Sequence, residues 1–444
     1  MPLIVDSVKR DLTAVVEWGR QKMQEGDYEK AAQHFGMALD LRPGFLQALL
    51  SRGFCFLASG AEERAQRDFA EVIQKEPGYN RNAYVLMSLS LKRAGDLHGA
   101  IRYLNRCLSL FPAFKPALLA RGELSLKVQD FERARADFRQ VLQEEPVHLV
   151  ARRGLADSLR GLGNFHEAVR NYGRAISDTM QALEHREEQA RQEEAGEADE
   201  VLQEVAEPAD AGDAPDEMEL ERSASVPQQL TSFQDDSGQR QEELMAEAEP
   251  AKLRSFLVEL LMRRALVLRL LGNLEASGSD FVDALELDPE EGLALFWYGK
   301  LLIEQQRQQE AAAYLQASIQ FHEPTRAAAH GILAALLITR ANADFETAQR
   351  HLKEAARLAP SWQAARITLW ICSAAVALSG KSRNPTKALS LLDRALAALE
   401  ADRRGEETSA GRGPGCQSAR AFGHLAGSGG AAAVALSARS RSAE

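Results

Sequence analysis

The sequence holds little of what metal sites, disulfide frameworks and membrane spans require. Its four cysteines, Cys55, Cys107, Cys372 and Cys416, lie far apart and form no Cys-x-x-Cys pair, so we predict neither a disulfide framework nor a zinc site. We interpret them as buried small hydrophobic residues in a reducing compartment. The best candidate for a membrane span, residues 367–379, has thirteen residues and falls short of the ~20 that a spanning helix needs. The N-terminus lacks the apolar core of a signal peptide. We expect a soluble, cytoplasmic protein without membrane insertion.

Residues that could carry catalysis are equally scarce. The nine histidines are scattered, no His-Glu-x-x-His occurs, and the Ser-Gly-Lys-Ser run at 379–382 lacks the upstream glycine of a phosphate-binding loop. We interpret His330 and His351 as ordinary helix-surface residues. The net charge of −11 argues against a duplex nucleic-acid binder, which needs a basic face. We therefore expect no enzyme, no catalytic, cofactor-binding or metal-binding residue, no cofactor, and no nucleic-acid partner.

What the sequence does have is self-similarity at a period of about 34 residues. Residues 12–45 carry Gly19, Gly26, Tyr28, Ala31, Phe35 and Pro43. Equivalent offsets give Gly53, Ala65, Phe69 and Pro77, then Ala100, Pro112, Ala134, Phe138, Pro146 and Ala168, and near the C-terminus Pro289 and Pro360.

The apolar spacing within each repeat predicts two antiparallel helices. Gly26 supplies the turn between them, and Pro43 ends the second helix. Gly19 and Ala31 let the helices approach, so that Phe35 and Trp18 can fill the gaps between neighbouring pairs.

These offsets resemble the tetratricopeptide repeat family over residues 12–182 and 255–400. The resemblance implies an all-α fold, a right-handed superhelical solenoid of antiparallel helix pairs, whose role is to bind other proteins. We place a short N-terminal segment at 1–11. The first array (12–182) then has five repeats, at about 12–45, 46–79, 81–114, 115–148 and 149–182. The second array (251–401) has about four, at 258–291, 292–325, 329–362 and 363–401.

Residues 183–250 and 402–444 lack the repeat offsets. The first stretch contains 22 acidic residues and four arginines, a net charge of −18. So much charge with so little apolar surface cannot offset the cost of ordering the chain. We expect a disordered or partly helical acidic linker here, and a disordered tail rich in Gly, Ala, Ser and Arg at 402–444. Since the fifth repeat lacks the closing proline, its second helix is expected to run on into the linker.

In tetratricopeptide proteins the first helices of successive pairs line an inner groove, where partners dock. By position, the groove candidates are Val16, Arg20, Met23, Leu50, Phe54, Leu57, Leu89, Lys92, Arg93, Leu119, Lys127, Arg153 and Arg160. On one interpretation the apolar members pack against neighbouring helices and the charges form a solvated face. On the other, apolar patches fringed by Arg and Lys take up an extended or helical peptide with acidic groups. The opposite charges also raise the hypothesis that the acidic linker contacts the basic fringe of the first array.

The resemblance implies a scaffold or adaptor that assists the assembly of multiprotein complexes, with three rivals. Chaperone cofactors of this family hold a carboxylate with a clamp of Lys, Asn and Arg. The matching positions here, Val16, Arg20, Ser51, Asn82 and Leu86, differ in type. RNA-binding helical repeats need paired polar positions on a basic surface, which are absent. The third rival is an enzyme whose catalytic domain is missing from this chain. A ciliary or cytoskeletal association rests on resemblance alone.

Overall fold

The computed structural model describes residues 2–206, 250–339, 344–361, 363–379, 386 and 389–395. All regular secondary structure in these ranges is α-helical. The first ten helices are α1 (Pro2–Gln24), α2 (Tyr28–Leu41), α3 (Leu46–Ala58), α4 (Glu62–Lys75), α5 (Asn82–Arg93), α6 (Leu97–Leu110), α7 (Lys115–Lys127), α8 (Phe131–Glu144), α9 (Leu149–Gly161) and α10 (Phe165–Ala206). The next seven are α11 (Pro250–Leu270), α12 (Leu274–Leu287), α13 (Gly292–Glu304), α14 (Gln308–Phe321), α15 (Glu323–Thr339), α16 (Phe345–Leu358) and α17 (Gln363–Ser379).

The chain divides into two compact units, Met1–Val267 and Leu268–Glu444. In the first unit, α1, α3, α5, α7 and α9 each pack against the helix that follows, and α2, α4, α6 and α8 each pack against the next pair. In the second unit the helices from α12 to α17 contact one another in chain order. The prediction of an all-α array of helix pairs is confirmed. None of the described helices combines the length and apolar character that crossing a bilayer requires.

Each helix pair is closed by a small residue and a large one, four positions apart on the second helix. In the first pair Ala31 and Phe35 are both 0% exposed. A Cβ added to Gly19 would lie 2.9 Å from the Phe35 ring, closer than real Cβ contacts come. The same places are buried in the other repeats by Ala65 and Phe69, Ala100 and Leu104, Ala134 and Phe138, Ala168 and Tyr172, Ser277 and Phe281, Ala311 and Leu315, and Ala348 and Leu352. The structure therefore keeps the packing register that the sequence offsets predict.

In the seven pairs from α1–α2 to α13–α14, the turn between the two helices contains one residue in the left-handed region. Gly26 has a φ of 78°, which suits glycine because it has no Cβ. At the equivalent point of two later repeats Gln129 and Gln306 adopt φ values of 63° and 65°. Asp27, the next residue, caps α2 by accepting a hydrogen bond from the Lys30 backbone N–H at 3.1 Å.

A recurring buried ion pair was missed by the sequence analysis. Arg52 donates to both carboxylate oxygens of Asp68, at 2.7 and 2.8 Å, and Arg121 donates to those of Asp137 at 2.6 and 2.9 Å. Both aspartate side chains are almost fully buried. Burial raises the pKa of the Asp137 carboxyl, against the opposing effect of Arg121. The signal was present in the sequence, since Arg and Asp stand 16 residues apart at the same offsets of two repeats.

The expected role of Trp18 is wrong. Its side chain is 52% exposed, and its ring lies beside His34 with the ring centroids 6.1 Å apart. Phe35, which is 0% exposed, occupies the interior position instead.

The fifth repeat's second helix does run on, because α10 continues without interruption to Ala206. Residues 207–249, most of the acidic linker, lie outside the described residues. So do the Lys-containing turn at 380–385, Cys416 and the whole tail at 402–444. The predictions of disorder made for these segments stay predictions.

The register can be tested by overfilling one pair. Replacing Ala134 by leucine places a branched side chain against the Phe138 ring at a site with 0% exposure. We expect a loss of about 1–3 kcal/mol in the free energy of unfolding, the usual cost of overpacking. Ala136→Leu, at an exposed position of the same helix, is the matched control and should change stability by less than ~0.5 kcal/mol. Chemical denaturation measures both, and equal stabilities would contradict the register.

Candidate functional site

The first helices of the repeats in the first unit form a continuous face. Helix α3 contacts α5, α5 contacts α7, and α7 contacts α9. Two side chains bridge these helices: Arg93 donates to the Leu57 carbonyl at 2.8 Å, and Lys92 pairs with Glu123 at 3.4 Å. Equivalent positions on these helices therefore lie side by side, and we call this surface the inner face.

The apolar groove candidates divide into two groups. Val16, Leu50, Leu57 and Leu119 are at most 7% exposed and belong to the core. Met23, Phe54 and Leu89 are only partly buried and contribute surface to the inner face. Phe54 also packs edge to face against Tyr28, with the ring centroids 6.3 Å apart. Three of the seven apolar candidates thus remain accessible to a partner.

Most of the cationic candidates are paired within the chain. Arg20 pairs with Glu17 at 2.7 Å, Lys92 with Glu123 at 3.4 Å, Arg153 with Glu259 at 2.9 Å and Arg160 with Asp157 at 3.6 Å. Arg93 and Lys127 are exposed, and neither forms an ion pair with any residue that the structure describes. Of the basic fringe expected from the sequence, only these two described side chains have no acidic partner within the described residues.

Arg153 is held by α11, which follows the acidic linker in the chain. Its guanidinium pairs with Glu259 and also lies 5.1 Å from the centre of the Phe256 ring. Four residues further along each of these two helices, Arg263 of α11 donates to Asp157 of α9 at 2.8 Å. Asp157 also accepts a hydrogen bond from the Tyr172 hydroxyl at 2.6 Å.

This cluster is buried enough to shift the titration of its members. Burial works against the charge on Glu259, yet Arg153 and Arg263 hold the pKa of its carboxyl below the ordinary value. Burial, together with Asp157, raises the pKa of the Tyr172 hydroxyl. The Glu259 carboxylate is therefore held in its charged form, and arginines pair with acidic side chains across the contact between α9 and α11.

The spacing of these pairs shows where the acidic linker is inserted. Arg153 to Glu259 and Asp157 to Arg263 both span 106 residues. Lys92 to Glu123, which joins the first helices of two successive repeats, spans 31. The longer span contains about 75 additional residues, so α11 packs on α9 as the first helix of the next repeat. The insertion lies between the second helix of the fifth repeat, α10, and α11. An alignment of the repeat offsets of the first array with those of the second, across the acidic linker, would have predicted that α11 is the first helix of the next repeat.

The contact predicted between the acidic linker and the basic fringe is not among the described interactions. Glu187, near the start of the linker, pairs with Arg254 of α11 at 2.5 Å. The remaining acidic residues lie mainly in 207–249, outside the described ranges. That hypothesis stays a prediction.

The described cysteines are not reactive. Cys55, Cys107 and Cys372 are free and buried. Burial raises the pKa of each thiol to about 12, so the nucleophilic thiolate is not populated near neutral pH. Their interpretation as small hydrophobic core residues is confirmed. No group of three metal-ligating side chains occurs in the part of the chain that the structure describes.

His330 and His351 are not the independent surface residues that the sequence suggested. Their Nδ1 atoms lie 2.8 Å apart, across the contact between α15 and α16. Burial lowers the pKa of both rings. His351 lowers the pKa of His330 further, and Arg350 lowers that of His351. Such a short contact requires that at least one ring be neutral, since two imidazolium rings would both donate and repel.

The docking of α11 can be tested by a double-mutant cycle on Arg263 and Asp157. Because both side chains are mostly buried, we expect Arg263→Met and Asp157→Asn to be coupled by about 0.5–3 kcal/mol in the free energy of unfolding. The control cycle uses Arg307 and Glu310, an ion pair with about half of each side chain exposed, where we expect at most ~1 kcal/mol. Purely additive effects at Arg263 and Asp157 would contradict the role given to this pair.

The histidine pair predicts a loss of stability in mild acid. In the unfolded chain both histidines take up a proton near pH 6.5, whereas the folded pair resists protonation. The contribution of the pair is therefore present above about pH 6.5 and is lost as the pH falls through that value. The melting temperature should fall between pH 7.5 and 5.5, and the His330→Gln, His351→Gln double variant should reduce that fall. His98→Gln, at an exposed position, should leave it unchanged; an equal pH dependence in the double variant would disprove the assignment.

Comparison with known proteins agrees with this architecture. The family model described as tetratricopeptide repeat matches residues 16–80, 85–147, 119–181 and 262–329, together slightly more than half of the chain. The outer dynein arm-docking complex subunit 4 of Xenopus laevis is 31% identical over 97 residues, and that of Homo sapiens 32% over 87 residues. These segments are 22% and 20% of this chain and only 18% and 13% of the relatives.

Among solved structures, a tetratricopeptide repeat protein from Parabacteroides merdae aligns with a TM-score of 0.44 at 15% identity, over 70% of this chain and 94% of its own. The repeated helix pairs, their buried Ala and aromatic positions and the family match lead to one conclusion. The chain belongs to the tetratricopeptide repeat family.

Proposed function

We propose that the protein is a non-enzymatic scaffold or adaptor that binds a peptide or helical segment of other proteins on the inner face of its first unit. The observation that supports this most is the partly accessible apolar surface of Met23, Phe54 and Leu89 on the first helices of the repeats. The same set of helices carries Arg93 and Lys127, two cations without an acidic partner among the described residues. A mixed apolar and basic surface suits a partner segment that carries both apolar and acidic side chains.

The inner face contributes affinity and selectivity through different groups. Burying Phe54 and Leu89 against a partner supplies the non-directional hydrophobic contribution. Arg93 and Lys127, being exposed, mainly favour acidic partners over neutral or basic ones. Arg153 is engaged by Glu259 and is left out of the proposed contact.

An assembly role beside dynein arms is a second candidate. The observation that favours it is the match to two proteins named as subunits of an outer dynein arm-docking complex. We propose a cytoplasmic location with ciliary or cytoskeletal association on the same ground. The match covers about a fifth of this chain. A shared partner with those proteins is therefore a proposal for this chain.

The proposed function can be tested by reversing the charge of Arg93 and Lys127 in the full-length chain. Partners are captured from cell extract, identified by mass spectrometry, and then measured against purified protein. We expect Arg93→Glu with Lys127→Glu to weaken binding of the captured partner by about tenfold or more, equivalent to ~1.4 kcal/mol. Recovery of dynein-arm components would support the second candidate.

The matched control reverses Arg67 and Arg102, which lie on the second helices α4 and α6 with side chains 78% and 74% exposed. This control has the same change in net charge and should retain binding. The inner face is not the binding surface if the inner-face variant and the control variant weaken binding of the partner equally, or if neither variant weakens it.

A further inference from the structure

A second cationic cluster lies in the second unit, where the sequence analysis assigned no site. Phe296, Trp297 and Lys300 follow one another on α13, and the Phe296 and Trp297 rings meet edge to face with centroids 5.6 Å apart. The Lys300 ammonium lies 4.3 Å from the Trp297 ring centre and 5.8 Å from that of Phe296. Arg269, at the end of α11, approaches the same Trp297 ring to 5.5 Å.

The two cations of this cluster differ in whether they have an acidic partner. Arg269 donates from Nε to both carboxylate oxygens of Glu304, at 3.0 Å each, and from a terminal nitrogen at 2.6 Å. Lys300 forms no ion pair with any residue that the structure describes, and its ammonium group lies over the Trp297 and Phe296 rings. Two positive charges thus face one carboxylate, which Arg269 already binds.

The environment of Lys300 disfavours its charge. Burial lowers the pKa of the ammonium group, Arg269 lowers it further, and Glu304 only partly opposes them. A lysine on a helix surface normally extends its ammonium into water, whereas this one lies over two rings. An anion beside it would remove that electrostatic cost.

We propose that Lys300, flanked by Trp297 and Phe296, binds the carboxylate of a glutamate or aspartate in a partner peptide in which an apolar residue follows the acid. The carboxylate meets the unpaired ammonium, and the apolar neighbour packs on the accessible part of the Trp297 ring.

The position of Lys300 within its repeat supports this assignment. Counted from the start of each repeat, Lys300 stands where Phe54 and Leu89 stand in the first unit, and both of those contribute to the inner face. The site deepens the proposed function by naming a peptide chemistry, but it uses none of the inner-face residues of the first unit. A failure of one therefore leaves the other intact.

The experiment measures binding of two capped peptides to the full-length protein by isothermal titration calorimetry at low salt. One is acetyl-Leu-Glu-Leu-Glu-Leu-amide, and the other has glutamine in place of each glutamate. We expect the acidic peptide to bind about tenfold more tightly, since a charge-assisted hydrogen bond is roughly twice as strong as a neutral one. The Lys300 and Lys353 variants are made in full-length protein that also carries Arg93→Glu and Lys127→Glu, so that the inner face of the first unit adds no preference of its own. In this background Lys300→Met should abolish the preference for the acidic peptide, whereas Lys300→Arg should retain most of it.

Lys353→Met is the matched control, because Lys353 is an exposed lysine on α16 of the same unit. It should leave the preference for the acidic peptide unchanged. Circular dichroism checks that each variant is folded, and Lys300→Gln replaces Lys300→Met if the latter is not. The proposal is overturned if the wild type binds both peptides equally, if the Lys300 variant keeps the preference, or if Lys353→Met removes it as well.

Discussion

The structure depends on the close approach of two helices around one large side chain, which is possible only where small residues leave room. Phe138 shows the constraint most clearly. Its ring is 1% exposed and lies against Gly122 of its own pair and Gly154 of the next. One ring thereby joins three helices, and a Cβ on either glycine would overlap it. A small residue and a large one also meet within other described pairs, at Gly19 and Phe35 and at Gly53 and Phe69. The alternation of small and large residues therefore sets how closely the helices of a pair approach.

Most of the fold could be predicted from the sequence because this constraint is local. The Ala and aromatic offsets lie within one repeat, so they can be recognised without knowledge of distant contacts. The Arg52–Asp68 pair is also local. The spacing of an arginine and an aspartate in the sequence, however, does not show whether the carboxylate is buried. The misassignment of Trp18 shows the same limit, because helical spacing alone does not show how far a side chain is exposed.

The candidate site was less predictable, because charges on the inner face are shared between neighbouring helices. The sequence identifies Lys92 and Arg153 as groove cations, but it does not show that Glu123 and Glu259 pair with them. The second of these partners lies beyond the acidic linker, so no local pattern connects the two. A count of Lys and Arg at groove positions therefore overestimates the positive charge that a partner meets. The clusters at Asp157 and at Lys300 became visible only once α11 had been placed.

The overall charge of the chain limits how the proposed contacts can act. With a net charge of −11, the protein repels an acidic partner at long range, so steering by the whole molecule cannot bring such a partner in. Charges beyond about 8 Å are largely screened at physiological salt, and this leaves the local surroundings of Arg93, Lys127 and Lys300 to decide selectivity. The apolar groups beside them, Leu89 in the first unit and Trp297 in the second, then supply the affinity. A partner recognised in this way needs its acidic and apolar residues next to each other, and a high negative charge alone would not be sufficient.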